Sequence, residues 1–152
     1  MSVLNLEDSF GFLLNRLARA VEISFDGALA RHGLTASGWG VLKTLERAGP
    51  SSLKDITAAL GIDASNTGRQ VDRMQAAGLV VVKKDINDGR ARRVELAEPG
   101  RALIPDLERL ARDYNARWLA VLPDENRAIL LESLTTMLES SGTWHSGKAT
   151  SS

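Results

Sequence analysis

The chain has 152 residues, 43% of them apolar and 25% charged, and its 19 basic side chains balance 19 acidic ones; such proportions belong to an ordinary globular protein of one or two small domains. It contains no cysteine, which excludes disulfides, thiolate zinc sites and thiol-based peroxide sensing, and makes the cytoplasm the natural compartment. Met1 to Leu6 is followed at once by Glu7 and Asp8, so neither an export signal nor a bilayer span is expected there, and no membrane association.

Apolar residues at Leu13, Leu14, Leu17, Val21, Phe25, Ala28 and Leu29 follow the three-and-four spacing of an amphipathic helix, from about Asp8 to Arg31. His32-Gly33 ends it. Thr35 opens a second helix by capping free backbone N–H groups, with Trp39, Val41, Leu42 and Leu45 inward and Ala48-Gly49-Pro50 as its close. Ser52 and Asp55 resemble a capping box, opening a short helix that buries Leu53, Ile56 and Leu60 before Gly61. After the turn Ile62-Asp63-Ala64, a helix from Ser65 to Ala77 turns Val71 and Met74 inward and stops at Gly78. Two short helices around a glycine-bearing turn make a helix-turn-helix.

Ala77 to Leu96 comprises two apolar-basic runs about a turn of Asn87, Asp88 and Gly89, a hairpin signal. Alone, this ribbon could be a solvated surface hairpin; behind a helix-turn-helix it reads as a wing. From Asp63 to Arg93 there are seven basic residues and four acidic ones, so this stretch is +3 and the remainder of the neutral chain −3. That is the polarity of one basic face on an acidic body.

Pro99 suits the first position of a helix carrying Leu103, Leu107, Leu110, Tyr114, Trp118 and Val121. Pro105 falls inside this pattern and predicts either a kink or a helix that starts near it. Pro123-Asp124 breaks the chain, a last helix runs from Glu125 to Glu139 with Leu130, Leu131, Leu134, Met137 and Leu138 on one side, and the small polar residues from Ser140 onward are expected to fray. The first and the last two helices are apolar over more length than a small head can cover, which calls for a helical layer shared with a second copy. The expected fold is mainly α with a small β-wing: a winged head over 35–97, a helical dimerisation region over 1–34 and 98–141, and a disordered tail over 142–152.

This order of elements, with Leu34-Thr35-x-x-x-Trp39-x-Val41-Leu42, Val71-Asp72-Arg73-Met74-x-x-x-Gly78-Leu79-Val80 and Asp85-x-x-Asp88-Gly89-Arg90, resembles the MarR (multiple antibiotic resistance regulator) family over nearly the whole chain. The resemblance implies a homodimeric winged helix-turn-helix transcription factor that binds pseudo-palindromic operators, most often as a repressor released by a small aromatic or anionic effector. It also exposes departures. Gly89 and Val82 stand where the family commonly has arginines, Gly68 interrupts the recognition helix at a cost of roughly 1 kcal/mol relative to alanine, and Ala97 replaces a capping threonine.

Ser65, Asn66, Gly68, Arg69 and Arg73 lie opposite Val71 and Met74 and are the candidates for the major groove. Gly68 there permits close approach of backbone to the duplex. Arg90 is the expected minor-groove residue, Asp88 shapes the turn, and Lys83, Lys84, Arg92 and Arg93 alternate along the strands so that only some reach phosphate. The resemblance places an effector cavity between head and dimer helices, for which Phe10, Arg16, Arg19, His32 and Trp39 are candidates, although an aromatic at the helical position of Trp39 is more often plain core.

Catalysis is not expected. There is no Gly-rich phosphate loop and no nucleophile elbow, and the two histidines, His32 and His145, are far apart; no metal or cofactor is implied. The competing expectation is a winged module acting through protein contacts without specific DNA binding.

Overall fold

The structure, a computed structural model, describes residues 5–144. The sequence expectations for 1–4, for His145 and for the tail from 145 onward lie outside them.

Six helices and three short strands follow in the order α1 (Phe10–Leu29), α2 (Ala36–Ala48), β1 (Ser51–Ser52), α3 (Leu53–Leu60), α4 (Ala64–Ala76), β2 (Val80–Lys84), β3 (Arg92–Leu96), α5 (Glu98–Leu119) and α6 (Asp124–Ser140). The first helix is shorter than its periodicity suggests, because Leu6–Asp8 and Ala30–His32 form separate 3-10 turns at its two ends. Gly33 then takes a left-handed φ of 69°, the conformation that makes glycine the usual residue past a helix end. Thr35 caps α2 by accepting from Gly38 N–H at 3.2 Å, and Asp26 on α1 accepts from Ala36 N–H at 2.6 Å, fixing the angle between the two helices.

Ser52 caps α3 as expected, accepting from Asp55 N–H at 3.1 Å, but Asp55 completes the pair by accepting the Ser52 hydroxyl at 2.8 Å. The expected turn before α4 holds a cap that the sequence reading passed over: Asp63 accepts from Asn66 N–H at 2.8 Å, so the helix starts at Ala64.

The sheet is three-stranded, ordered β1-β3-β2 and antiparallel throughout. Val82 faces Val94, and Val80 faces Leu96, so these four apolar side chains lie on one side of the ribbon and Val81 on the other. Val80 and Val94 join a core with Leu29, Leu34, Val41, Leu42, Leu45, Ile56, Val71, Met74, Ile104 and Leu107. That core is continuous from the head into α1 and α5.

Ala97 leaves α5 without a side-chain cap, and Pro99 is its second residue, one position later than expected. Pro105 neither ends nor begins the helix, which runs unbroken from Glu98 to Leu119. Proline deprives the Arg101 carbonyl of its helical donor, but Pro105 lies on the exposed side, where water can replace it. At the start of α5, a Cβ on Gly100 would stand 2.1 Å from the Leu79 carbonyl oxygen. Only glycine lets helix and ribbon root touch there. The Ala97 N–H donates to the same oxygen at 3.0 Å.

Two contacts tie the N- and C-terminal parts of the chain. The Tyr114 hydroxyl donates to the Val21 carbonyl at 2.5 Å, and its ring meets Phe25 at 4.7 Å between centroids. Large apolar side chains remain exposed on α1 (Phe10, Leu13, Leu14, Leu17) and α6 (Ile129, Leu131, Met137, Leu138). No helix among the described residues is long and apolar enough to cross a membrane.

Candidate nucleic-acid interface

Two hydrogen bonds hold α4 against the rest of the head, and a third lies within the helix. The Thr57 hydroxyl on α3 donates to Thr67 Oγ1 at 3.0 Å, and Thr67, fully buried, donates to the Asp63 carbonyl at 3.1 Å. The Thr35 hydroxyl, besides capping α2, donates to Gln70 Oε1 at 3.0 Å. Val71 and Met74 complete the inner face. A buried polar chain of this kind fixes one orientation of α4, because breaking any member leaves a desolvated hydroxyl.

The opposite face of α4 presents Ser65, Arg69 and Arg73 to solvent, with Asn66 and Gly68 half-exposed beside them. Arg69 Nη1 donates to Ser65 Oγ at 2.9 Å, one turn back. Arg73 has no carboxylate partner among the described residues. A Cβ on Gly68 would meet nothing within 4 Å. The glycine therefore makes no room for the protein itself; what it leaves open is the outer surface.

The wing tip turns slightly later than the expected Asn87-Asp88-Gly89. Asp85 N–H donates to the Ala91 carbonyl at 2.9 Å, and Ala91 N–H donates to the Asp88 carbonyl at 2.9 Å, so the turn centres on Gly89 and Arg90 within a longer loop. Gly89 does not have positive φ. Both acidic residues organise the loop: Asp85 accepts from Asn87 N–H at 2.9 Å, and Asp88 accepts from Arg90 N–H at 3.0 Å.

The candidate cations of the wing divide into two groups. Arg92 pairs with Asp72 of α4 at 2.8 Å, Lys83 with Glu95 across the ribbon at 2.8 Å, and Arg93 with Asp85 at 3.7 Å. Lys84 and Arg90 have no carboxylate partner among the described residues. Only these two offer a full, unneutralised charge.

Lys54, which the sequence reading did not single out, adds a further cation. A groove of about 270 Å³ between the start of α3 and the wing is lined by Ser52, Leu53, Lys54, Arg90, Ala91 and Arg92. A signal was present: a lysine in the first turn of a helix stands at the positive end of its dipole, where it is disfavoured unless another partner is involved.

The five effector candidates are dispersed. Phe10 is exposed at the start of α1, Arg19 is exposed further along, and Arg16 lies over the Phe12 ring at 5.8 Å. Trp39 is half-buried against the core, with Lys43 Nζ 5.7 Å from its ring centroid. His32 lines a groove of about 440 Å³ with Arg31, Asp106, Arg109, Leu110 and Asp113. A cavity of about 500 Å³ between α1 and α5 is lined instead by Ser24, Ala28, Tyr114, Arg117, Trp118 and Val121.

Head and helical body are joined by one ion pair of note. Lys43 of α2 donates to Glu108 of α5 at 2.6 Å and also to Glu46. The Glu108 hydrogen bond, then that of Glu46, holds the lysine above its ordinary pKa, while the Lys43 hydrogen bond holds Glu108 below the usual carboxylate range.

Residues 32–91 match the family model described as the MarR family. Among solved structures, a probable transcriptional regulator from Pseudomonas aeruginosa is 28% identical, with a TM-score of 0.79 over 88% of this chain and 99% of that one. BpsR of Bordetella bronchiseptica, whose DNA binding is regulated by 6-hydroxynicotinic acid, is 26% identical, with a TM-score of 0.81 over 90% and 97%. A MarR-family transcriptional regulator from Rhodococcus is 27% identical, with a TM-score of 0.78 over 89% and 96%. The first and third of these are named as transcriptional regulators. With its three-stranded sheet, its polar-locked α4 and a match to the MarR family model over residues 32–91, the chain has the winged helix-turn-helix fold of these regulators and is similar to the MarR family.

Proposed function

We propose that the protein acts as a homodimer on double-stranded DNA, with α4 in the major groove of each half-site and the wing in the adjoining minor groove. The observation that carries this reading is the sorting of charge on the head: Arg69, Arg73, Lys84, Arg90 and Lys54 face outward unneutralised, while the acidic residues around them are engaged in caps, turns or ion pairs. Such a surface gains by releasing counterions from phosphate. Ser65, Asn66, Gly68, Arg69 and Arg73 supply the base-edge and phosphate contacts of α4; Lys84, Arg90 and Lys54 supply those flanking it. Lys83 and Arg92 contribute less, since each already faces a carboxylate.

The exposed apolar faces of α1 and α6 support dimerisation, because a single copy leaves them in water. The domain organisation follows: a head over 35–97 on a helical layer formed by 1–34 and 98–141. Repression relieved by an aromatic or anionic effector, and a cytoplasmic location, complete the proposal. BpsR offers a precedent for the effector. The cavity beside Tyr114, Trp118 and Arg117 has the aromatic walls and cation that such a compound needs.

Selection of genomic fragments on the purified protein tests this. An enriched duplex should carry half-sites about 34 to 36 Å apart, one helical turn, and sedimentation should give twice the chain mass. Absence of any enriched duplex would refute the reading in favour of a winged module that works through protein contacts.

A further inference from the structure

On the winged head, Val81 and Ile86 are the only exposed large apolar residues among the described ones, and Ile86 is 100% exposed. It sits in the wing loop between the two residues, Lys84 and Arg90, whose charges are free. An isolated exposed isoleucine is ordinary on a protein surface. What distinguishes this one is the construction of the loop. Asp85 and Ala91 close its base, the Asp85 carboxylate accepts from Asn87 N–H, and the Asp88 carboxylate accepts from Arg90 N–H. Both carboxylates accept from backbone amides of the loop, Asp85 also facing Arg93, and the exposed side chains left for a partner are the Ile86 hydrocarbon, the Asn87 amide and the Arg90 guanidinium.

We infer that Ile86 enters the minor groove of duplex DNA beside Arg90, packing on the deoxyribose C–H edges or against a base step. This inference rests on the DNA-binding reading above. The minor groove is about 6 Å wide, with sugar walls that offer apolar contact, and groove-binding proteins use isoleucine as a wedge there. A β-branched side chain has few rotamers to lose on insertion. Such a wedge adds affinity through apolar burial, which salt does not screen.

The test uses the full-length protein and a duplex recovered by the genomic selection. Ile86→Ser should weaken binding about tenfold while leaving the slope of log K against log salt unchanged, and Ile86→Leu should restore most of the loss. Arg90→Ala should make the slope shallower by about 0.9. Replacing A·T pairs under the wing by G·C, which adds an amino group to the groove floor, should penalise the parent more than Ile86→Ser. Melting temperatures of both Ile86 variants should match the parent, since the side chain touches nothing in the free protein. Binding of Ile86→Ser equal to the parent would overturn the wedge, as would a loss accompanied by the same slope change as Arg90→Ala. A parent that binds no duplex would remove the DNA reading itself, whereas a parent that binds with Ile86→Ser unaffected removes only the wedge.

Discussion

Replacing Gly68 by alanine should make the free protein more stable and its complex with DNA weaker. Gly68 is an interior residue of α4, its φ is not positive, and an added Cβ meets no atom within 4 Å. Nothing in the protein resists the methyl group, so the full helix-propensity gain of about 1 kcal/mol should appear. For a chain of this length that raises the melting temperature by roughly 2 to 4 °C. Bound to a duplex, the same methyl group projects from the outward face into the space where carbon atoms need about 3.5 to 4 Å of separation. If Gly68 lies against DNA, α4 must withdraw, and loss of one good bidentate base contact costs ~1–3 kcal/mol, about 5- to 150-fold in affinity. Thermal melting and fluorescence anisotropy on one selected duplex read the two effects separately. A variant that is more stable and binds as tightly as the parent would refute the claim that the glycine serves close approach. One that is less stable would refute the account of open space around it.

Three further expectations follow from the contacts described. Lys84→Ala should make the salt dependence of DNA binding shallower by about 0.9, and Lys83→Ala should change it much less because Glu95 already neutralises that lysine; equal slopes for the two variants would contradict the sorting of charges. Gly100→Ala forces a Cβ against the Leu79 carbonyl, an overpacking that costs ~1–3 kcal/mol or more, so calorimetry should show a fall in melting temperature of several degrees. The Lys43–Glu108 pair should leave a pH signature. Glu108 has a lowered pKa, so its contribution is present above the ordinary carboxylate range and is lost as pH falls through the folded value. Lys43 has a raised pKa, so its contribution is present below the ordinary lysine range and is lost as pH rises through the folded value. The difference in melting temperature between the parent and Glu108→Gln should therefore be constant near neutrality and shrink in acid.

What the sequence made legible was local chemistry. Gly33, Gly61 and Gly78 end helices with positive φ, and Thr35 and Ser52 cap the helices they precede; each signal lies within a few residues of its effect. The misses are of two kinds. Asp63 was a readable cap, but its place inside an apparent turn hid it. Strand β1 is two serines with no periodicity, and it exists only because Val94 and Arg93 pair with it from across the head. Likewise nothing near Arg92 announces that Asp72 will neutralise it, nor near Lys83 that Glu95 will. The candidate contacts on α4 could be chosen by helical period; those on the wing could not be ranked without the pairing. The effector candidates fared differently, because a cavity between α1 and α5 depends on which side chains converge from distant segments.

The seam at Gly100 has a mechanical consequence. Backbone meets backbone there, with no side chain between, so no rotamer change can absorb a tilt of the fifth helix. The ribbon that springs from Leu79 behaves as a rigid pointer hinged at that seam. Its five-residue strand β2 extends ~17 Å at about 3.4 Å per residue, so a tilt of ~10° at the root carries the end of the strand sideways by ~3 Å. Small adjustments in the helical layer thus reach the wing tip enlarged to the scale of a hydrogen bond.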